Sequence, residues 1–332
     1  MIGAAGHDRT GTHATITGLR RNFLQLPSFP RLNVFCNNPA AVSLTESQAP
    51  SRLDVKLIAL AFHWFANELY PMVRWELLSG LALAATISLA AWRTGVLSRG
   101  GALAATALGT GAVAAGWQWA WLLVAFFVSS SGLSVLSAAR KAKRSESVLA
   151  KGGKRDAMQV LANGGLFVIV ALVAKATQSD GWTTAAIGTL AAAAADTWGT
   201  ELGMLSRGDP WSLTERRRVP AGSSGAVSWI GILATLAGAL FIAGIATLLG
   251  WSTPVVVVGA IAGIFGAMLD TLLGAFVQAQ WRCPRCGTKT ERRLHSCGAI
   301  TELVRGPAWM DNDAVNFLCT GMGAIAAVLL IS

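Results

Sequence analysis

The feature that most constrains this chain is a series of apolar stretches, each about 18–25 residues long and nearly free of charge, enough to cross a ~30 Å hydrocarbon layer at 1.5 Å per residue. Runs such as Ala226 to Gly250 are apolar on all sides, so they lack the alternation that strands of a transmembrane β-barrel need. Only 13% of the 332 residues are charged, against roughly 25% in a soluble domain, too few to dress a soluble surface. The chain reads as an all-α, polytopic transmembrane helical bundle. Secreted, disulfide-framed and nucleic-acid-binding classes fall away.

Eight spans are expected, at about 75–92, 100–116, 118–138, 160–177, 182–204, 226–250, 254–277 and 314–331. The second, rich in Gly and Ala, suits a tightly packed or re-entrant helix as well as a full crossing. The glycines elsewhere read as packing positions, because inside lipid close backbone approach replaces the hydrophobic drive. Residues 1–71 differ in composition, with Thr, Pro, Asn and Ser and no membrane-length apolar run, and are expected to be a poorly ordered extension of the 72–332 transmembrane domain. Arg20 and Arg21 are followed by Pro27 and Pro30 before any apolar core, unlike a signal peptide. Met72 is a candidate start, and 57–70 a candidate interfacial helix.

Of the 20 Lys and Arg residues beyond Arg74, eight crossings put 19 on one side, in the loops 93–99, 140–155, 207–218 and 282–305, and only Lys175 on the other. This asymmetry predicts that those loops are cytoplasmic and accounts for the net charge of +10. Short connections lie opposite, with Trp117, Trp119, Trp182 and Trp251 placed as interfacial anchors.

An ionisable side chain at the bilayer centre costs at least ~2.5 kcal/mol, so each one within a span asks for a reason. Asp196 and Glu201 lie in the fifth span, Asp270 in the seventh, and Asp313 opens the eighth beside Asn312 and Asn316. At helical rise, Asp196, Asp270 and Glu201 lie roughly 21, 24 and 28 Å from the outer surface, and Asp313 begins at the inner one. All four reach one level, as does Asn163 of span four. Crowded carboxylates with amide oxygens form a ligand set suited to Mg²⁺, with Asp196, Glu201 and Asp270 as the expected ligands.

The basic loops supply the counterpart. Arg218 precedes the turn Val-Pro-Ala-Gly-Ser223-Ser224-Gly ahead of the sixth span, and Lys154, Arg155, Gln159 and Asn163 run into the fourth. Arginine forks and a Gly/Ser turn at a helix N-terminus read as a polyphosphate cradle, although no Walker loop occurs. Loop Lys and Arg also serve as topology signals and anionic-lipid contacts. Histidine occurs only at positions 7, 13, 63 and 295, so the spans hold no imidazole base for a nucleophilic triad. Phosphoryl transfer needs none; it needs positioning, a metal and cationic donors. Separately, Cys283, Cys286, His295 and Cys297, in the loop 279–311, have the composition of a tetrahedral zinc site. Cys36 and Cys319 have no sequence partner.

Five blocks carry a resemblance: Gly152-Gly-Lys-Arg-Asp-Ala-Met-Gln-Val-Leu-Ala-Asn163, Ala195-Asp-Thr-Trp-Gly-Thr-Glu201, Arg218-Val-Pro-Ala-Gly-Ser-Ser-Gly-Ala-Val-Ser228, Asp270-Thr-Leu-Leu-Gly-Ala-Phe-Val-Gln278 and Asn312-Asp-Ala-Val-Asn316. In order they resemble the integral membrane family that includes plant and cyanobacterial phytyl-phosphate kinase and eukaryotic transmembrane protein 19. The resemblance covers residues 80–330, with Ala226 and Thr271 standing where the family pattern suggests Gly and Ser. It implies transfer of a phosphoryl group from a nucleoside triphosphate, CTP, to an isoprenyl monophosphate such as phytyl phosphate. Asp196, Glu201, Asp270 and Asp313 would then hold metal or orient the acceptor, with Gln159, Asn163, Asn312 and Asn316 around them. Lys154, Arg155, Arg218, Ser223 and Ser224 would bind phosphates. A CDP-lipid-forming cytidylyltransferase and a cation-site transporter are the alternatives.

Overall fold

In the computed structural model, which describes residues 70–145 and 153–331, the apolar stretches fold into eight helices. They are α1 (Tyr70–Arg93), α2 (Arg99–Ala115), α3 (Trp117–Ser145), α4 (Ala157–Thr177), α5 (Asp180–Gly203), α6 (Trp229–Leu248), α7 (Thr253–Phe276) and α8 (Asn312–Ile331). Helix α1 takes in Tyr70 to Met72; the remainder of the extension and of the expected 57–70 helix lies outside the described residues. Six of the eight, all but α2 and α5, are long and apolar enough to cross a membrane. Helix α2 has only 17 residues.

Helix α5 is the axis. Every residue from Thr184 to Ala195 is buried, and α3, α4, α6, α7 and α8 all pack against it. Its buried run is mostly Ala, while the outward faces of its neighbours carry the large apolar side chains: Leu233 and Leu240 on α6, Phe265 and Met268 on α7, Ile325 and Leu329 on α8. This sorting fits a bundle whose solvent is lipid, with small residues inside and bulky ones outside. Contact with α5 runs through glycine. A Cβ at Gly263 would stand 2.5 Å from Ala191 Cβ, and one at Gly238 would stand 2.6 Å from the Ala194 carbonyl oxygen.

The long loops gather at one end. Leu97 pairs with Arg155, through Ser98 N–H to Arg155 O (2.9 Å) and Arg155 N–H to Val96 O (2.9 Å), tying the α1–α2 and α3–α4 connections together. The helices that follow long loops start with side-chain caps: Ser98 on α2, Asp156 on α4, Ser228 on α6 and Asp311 on α8, each accepting a first-turn N–H at 3.0–3.1 Å. The other end has one- to four-residue connections. There Trp119 is buried, its ring tilted 47° against Trp251 at 4.4 Å and edge-on to Phe167, so it is a packing residue and not the interfacial anchor expected from sequence. Trp182 is exposed, as an anchor would be.

Two small sheets decorate the loop end. β1 (Trp211–Ser212) pairs antiparallel with β2 (Ala226–Val227), and β3 (Gln280–Arg282) lies between β4 (Lys289–Thr290) and β5 (Glu302–Arg305). The sixth span was expected to begin at 226. Residues 226–227 are instead strand, because their backbone pairs with β1, and the helix starts after the Ser228 cap.

The glycine seam has a measurable consequence. Gly263→Val should lower the melting temperature of the detergent-solubilised protein, since overpacking costs about 1–3 kcal/mol. Gly244→Val, where a Cβ meets nothing within 4 Å, should leave it unchanged.

Candidate functional site

Two cavities meet at the loop end. The first, of about 210 Å³, is walled by apolar side chains of α1, α2 and α3, among them Leu83, Ile87, Leu108 and Phe127, and closes at one end on Arg155, Gln159, Asn163, Glu201 and Asn316. The second, of about 180 Å³, lies under the 221–228 segment and the first turn of α6, and includes Ser223, Ser224 and Gly231. Asp196, Thr200, Asp270, Glu291 and Asn312 line both. One compartment is therefore mostly greasy, the other mostly polar, and acidic side chains form the wall between them.

Asp196 comes from α5 and Asp270 from α7, and their carboxyl groups lie within hydrogen-bonding reach of each other; the Thr200 hydroxyl also reaches Asp196. Asp270 Oδ2 is buried with no hydrogen-bond partner among the described residues. Two carboxyls this close share either a proton or a cation, and an orphaned inward oxygen is where an oxygen-seeking cation would fit.

Glu201 is organised differently. Ser134 Oγ donates to its Oε1 (2.7 Å) and Ser137 Oγ to its Oε2, while Arg155 donates to Ser134 Oγ (2.9 Å) and to Ser130 O (3.1 Å). Both Glu201 oxygens are thus engaged by hydroxyls from α3, and the carboxylate acts as counter-charge to Arg155 through the serine. Burial lowers the hold of the Arg155 guanidinium on its proton, and the Glu201 charge opposes the shift.

The remaining expected residues divide. Asn163 Nδ2 donates to Gln159 O (2.9 Å) and both line the greasy cavity. Ser223 and Ser224 line the polar one, and Ser224 Oγ donates to Glu291 Oε1 at 2.5 Å. Asp313 is buried in the first turn of α8 but lines neither cavity. Lys154 is exposed and also lines neither. Arg218 was expected on phosphate; the structure leaves it exposed with Nη1 donating to Asp209 O (2.8 Å), because its strand-like pairing with Trp211 directs it along the loop and away from the cavity. The Gly/Ser turn reaches the cavity by a separate device. Gly225, at φ +69°, packs so closely on α7 that a Cβ would stand 2.2 Å from Ala275 Cα.

Glu291 is the residue that the sequence reading missed. It sits one position past β4, and its Oε1 also accepts from Gln278 Nε2 (3.0 Å). A glutamate in a polar loop carries no burial signal; only the folding of the 279–311 segment back over α7 brings it in. Arg305 secures that fold by donating to the Gly274 and Ala275 carbonyls at the end of α7. In the same segment, the ligand atoms of Cys283, Cys286, His295 and Cys297 all lie within 4.8 Å of one another. Cys319 is buried in α8, and Cys36 lies outside the described residues.

Residues 82–324 match the family described as integral membrane protein DUF92. Protein PGR of Arabidopsis thaliana is 27% identical over 273 residues, covering 74% of this chain and 92% of that protein. The uncharacterized membrane protein MJ0933 of Methanocaldococcus jannaschii is 28% identical over 219 residues, 65% of this chain and 77% of that protein. No solved structure matches.

The 211–218 loop is held to the 279–311 segment by Lys289 Nζ on Glu215 Oε1 (2.8 Å), with Arg217 on the other carboxylate oxygen. The hydrogen bond from Lys289 lowers the Glu215 carboxyl below its ordinary value; burial opposes it, and Arg217 adds to the lowering. A depressed carboxyl contributes fully above the unfolded value of about 4.3 and loses its contribution as pH falls through the folded value. Hydrogen exchange in 211–218, corrected for intrinsic rate, should accelerate below about pH 4 and show no such step in Glu215→Gln.

Proposed function

The chain belongs to the DUF92 family of integral membrane proteins, and on that premise we propose that it is a membrane-embedded kinase that transfers a phosphoryl group from a nucleoside triphosphate, CTP, to an isoprenyl monophosphate such as phytyl phosphate. The observation that carries this reading is the shared acidic wall between a greasy and a polar cavity. A prenyl tail suits the α1–α3 compartment, the nucleotide phosphates suit the Gly/Ser compartment, and their reacting ends would meet at Asp196 and Asp270.

In this reading the tail leaves the acceptor phosphate against Arg155, Gln159, Asn163 and Asn316. Arg155 arrives already oriented, since Ser130, Ser134 and Glu201 fix its guanidinium before substrate binds. Ser223, Ser224 and the start of α6 face the donor phosphates with hydroxyls and a positive helix end. Asp196 and Asp270, with Asn312 beside them, would hold Mg²⁺, which when bound screens the phosphate charges and aligns donor with acceptor. The acceptor oxygen is already anionic at neutral pH, so no imidazole base is required. Lys154 and Arg218, exposed at the loop end, would contribute long-range attraction for a polyanion. The concentration of basic residues in the loops at this end supports a cytoplasmic orientation for it.

Purified protein incubated with Mg²⁺, CTP and phytyl or geranylgeranyl phosphate should release CDP and prenyl diphosphate. Release of pyrophosphate would instead mark a cytidylyltransferase, and no turnover with any nucleoside triphosphate would overturn both. Asp196→Asn and Asp270→Asn should each lower kcat by about 100-fold or more while leaving membrane insertion intact.

A further inference from the structure

The segment between Gln280 and Pro307 is a small β lobe that builds no apolar core of its own. Its buried residues are Cys283, Thr290, His295, Ala299 and Thr301, while Leu294, Ile300, Leu303 and Val304 point outward. No large apolar side chain is buried within it. A lobe of this size without an apolar core needs a covalent or metal staple.

The four candidate ligands occupy two turns that face each other. In the first, Gly287 N–H returns to Cys283 O (2.9 Å) with Gly287 at φ +69°, and the turn presents Cys283 and Cys286. In the second, Gly298 N–H returns to His295 O (2.9 Å) with Gly298 at φ +81°, and the turn presents His295 and Cys297. Across the gap, Cys283 Sγ lies 3.5 Å from Cys297 Sγ, and His295 Nδ1 lies 3.5 Å from Cys286 Sγ and 3.2 Å from Cys297 Sγ. A tetrahedral ion with Zn–S of about 2.3 Å and Zn–N of about 2.0 Å requires S–S edges of about 3.8 Å and S–N edges of about 3.5 Å, and the three separations lie within about 0.3 Å of these. A disulfide between Cys283 and Cys297 would use two of the four groups and leave the convergence of Cys286 and His295 without cause.

We propose that Cys283, Cys286, His295 and Cys297 bind one zinc ion, and that by closing these two turns the ion holds Glu291 on Ser224 and Gln278, so that a metal outside the acidic site fixes the loop that lines it. The ion would bind three thiolates and the Nδ1 of a neutral imidazole, releasing the thiol protons to solvent. Glu291 lies between the two ligand turns, and its contact with Ser224 is the mechanical link from the lobe to the 221–225 turn. The inference does not rest on the kinase reading and stands or fails apart from it.

Full-length protein purified from zinc-replete cells without chelators should carry about one zinc per chain by elemental analysis, as a four-ligand structural site does. Cobalt exchanged into the site should give the visible bands and thiolate charge transfer of a tetrahedral S₃N centre. Cys286→Ser and His295→Ala should each weaken zinc binding at least about tenfold, while Cys319→Ala should not. Zinc removal should raise hydrogen exchange both in the lobe and in residues 220–225; Glu291→Ala should keep the zinc yet raise exchange in 220–225. Metal-free protein without a cobalt spectrum, or a Cys283–Cys297 disulfide in peptide maps, overturns the zinc site. Unchanged exchange in 220–225 after zinc removal overturns the coupling.

Discussion

Asp196 on α5 and Asp270 on α7 reach each other only because α7 presents glycine where it faces the alanines of α5. Gly263 and Gly266 abut Ala191 and Ala192, and a Cβ at either position would lie within 2.6 Å of those residues. The two helices therefore approach to backbone contact just below the carboxyls, and short aspartate side chains can span the remaining gap. An Ala or Val seam would push the helices apart and strand each carboxylate in apolar surroundings, at a cost of several kcal/mol apiece. Packing of small residues and placement of charge are one constraint here, and the other features of the site are arranged around it.

Around that pair the charges are separated by depth. Half-buried Arg155 and buried Glu201 form a cation–anion relay through Ser134, which leaves the guanidinium at the polar end of the greasy cavity with its orientation already set. A buried arginine without such a partner would be costly, and one freely paired to the carboxylate would have little positive field to offer a ligand. Interposing a serine hydroxyl satisfies the carboxylate and still leaves the cation available. The polar cavity uses backbone and hydroxyl groups instead of arginine, so Arg218 is free to brace the loop above it.

The helices were legible because lipid imposes a simple code of length and apolarity, and the polar positions within spans were legible because each is costly. Asp196, Asp270, Asn163 and Asn316 could be placed at one depth by counting residues along a helix. What sequence could not show was set by loops. Arg218 and Glu291 both lie where no periodicity applies; strand pairing with Trp211 turns one away from the cavity, and the fold of the β lobe over α7 turns the other into it. Trp119 illustrates the same limit within a helix. Its position at a span end suggested the interface, but ring contact with Trp251 from another hairpin draws it inside. Helical pattern gives depth, and only tertiary pairing gives direction.

The division between a membrane-buried half and a loop-borne half has a chemical logic. Acidic groups on α5 and α7 are fixed by helices that cannot move without breaking the glycine seam, so their separation is preset. The opposing wall, made by Glu291, Ser224 and the Gly/Ser turn, belongs to segments outside the bundle and is joined to it at a few points: Gly225 on Ala275, and Arg305 on the last carbonyls of α7. On the proposed function, this loop-borne wall would face the water-soluble ligand and the helical half the lipid one. For a reaction between one substrate held in the bilayer and another drawn from solution, each half then handles the substrate whose solvent it resembles, and the chemistry falls at the boundary between them.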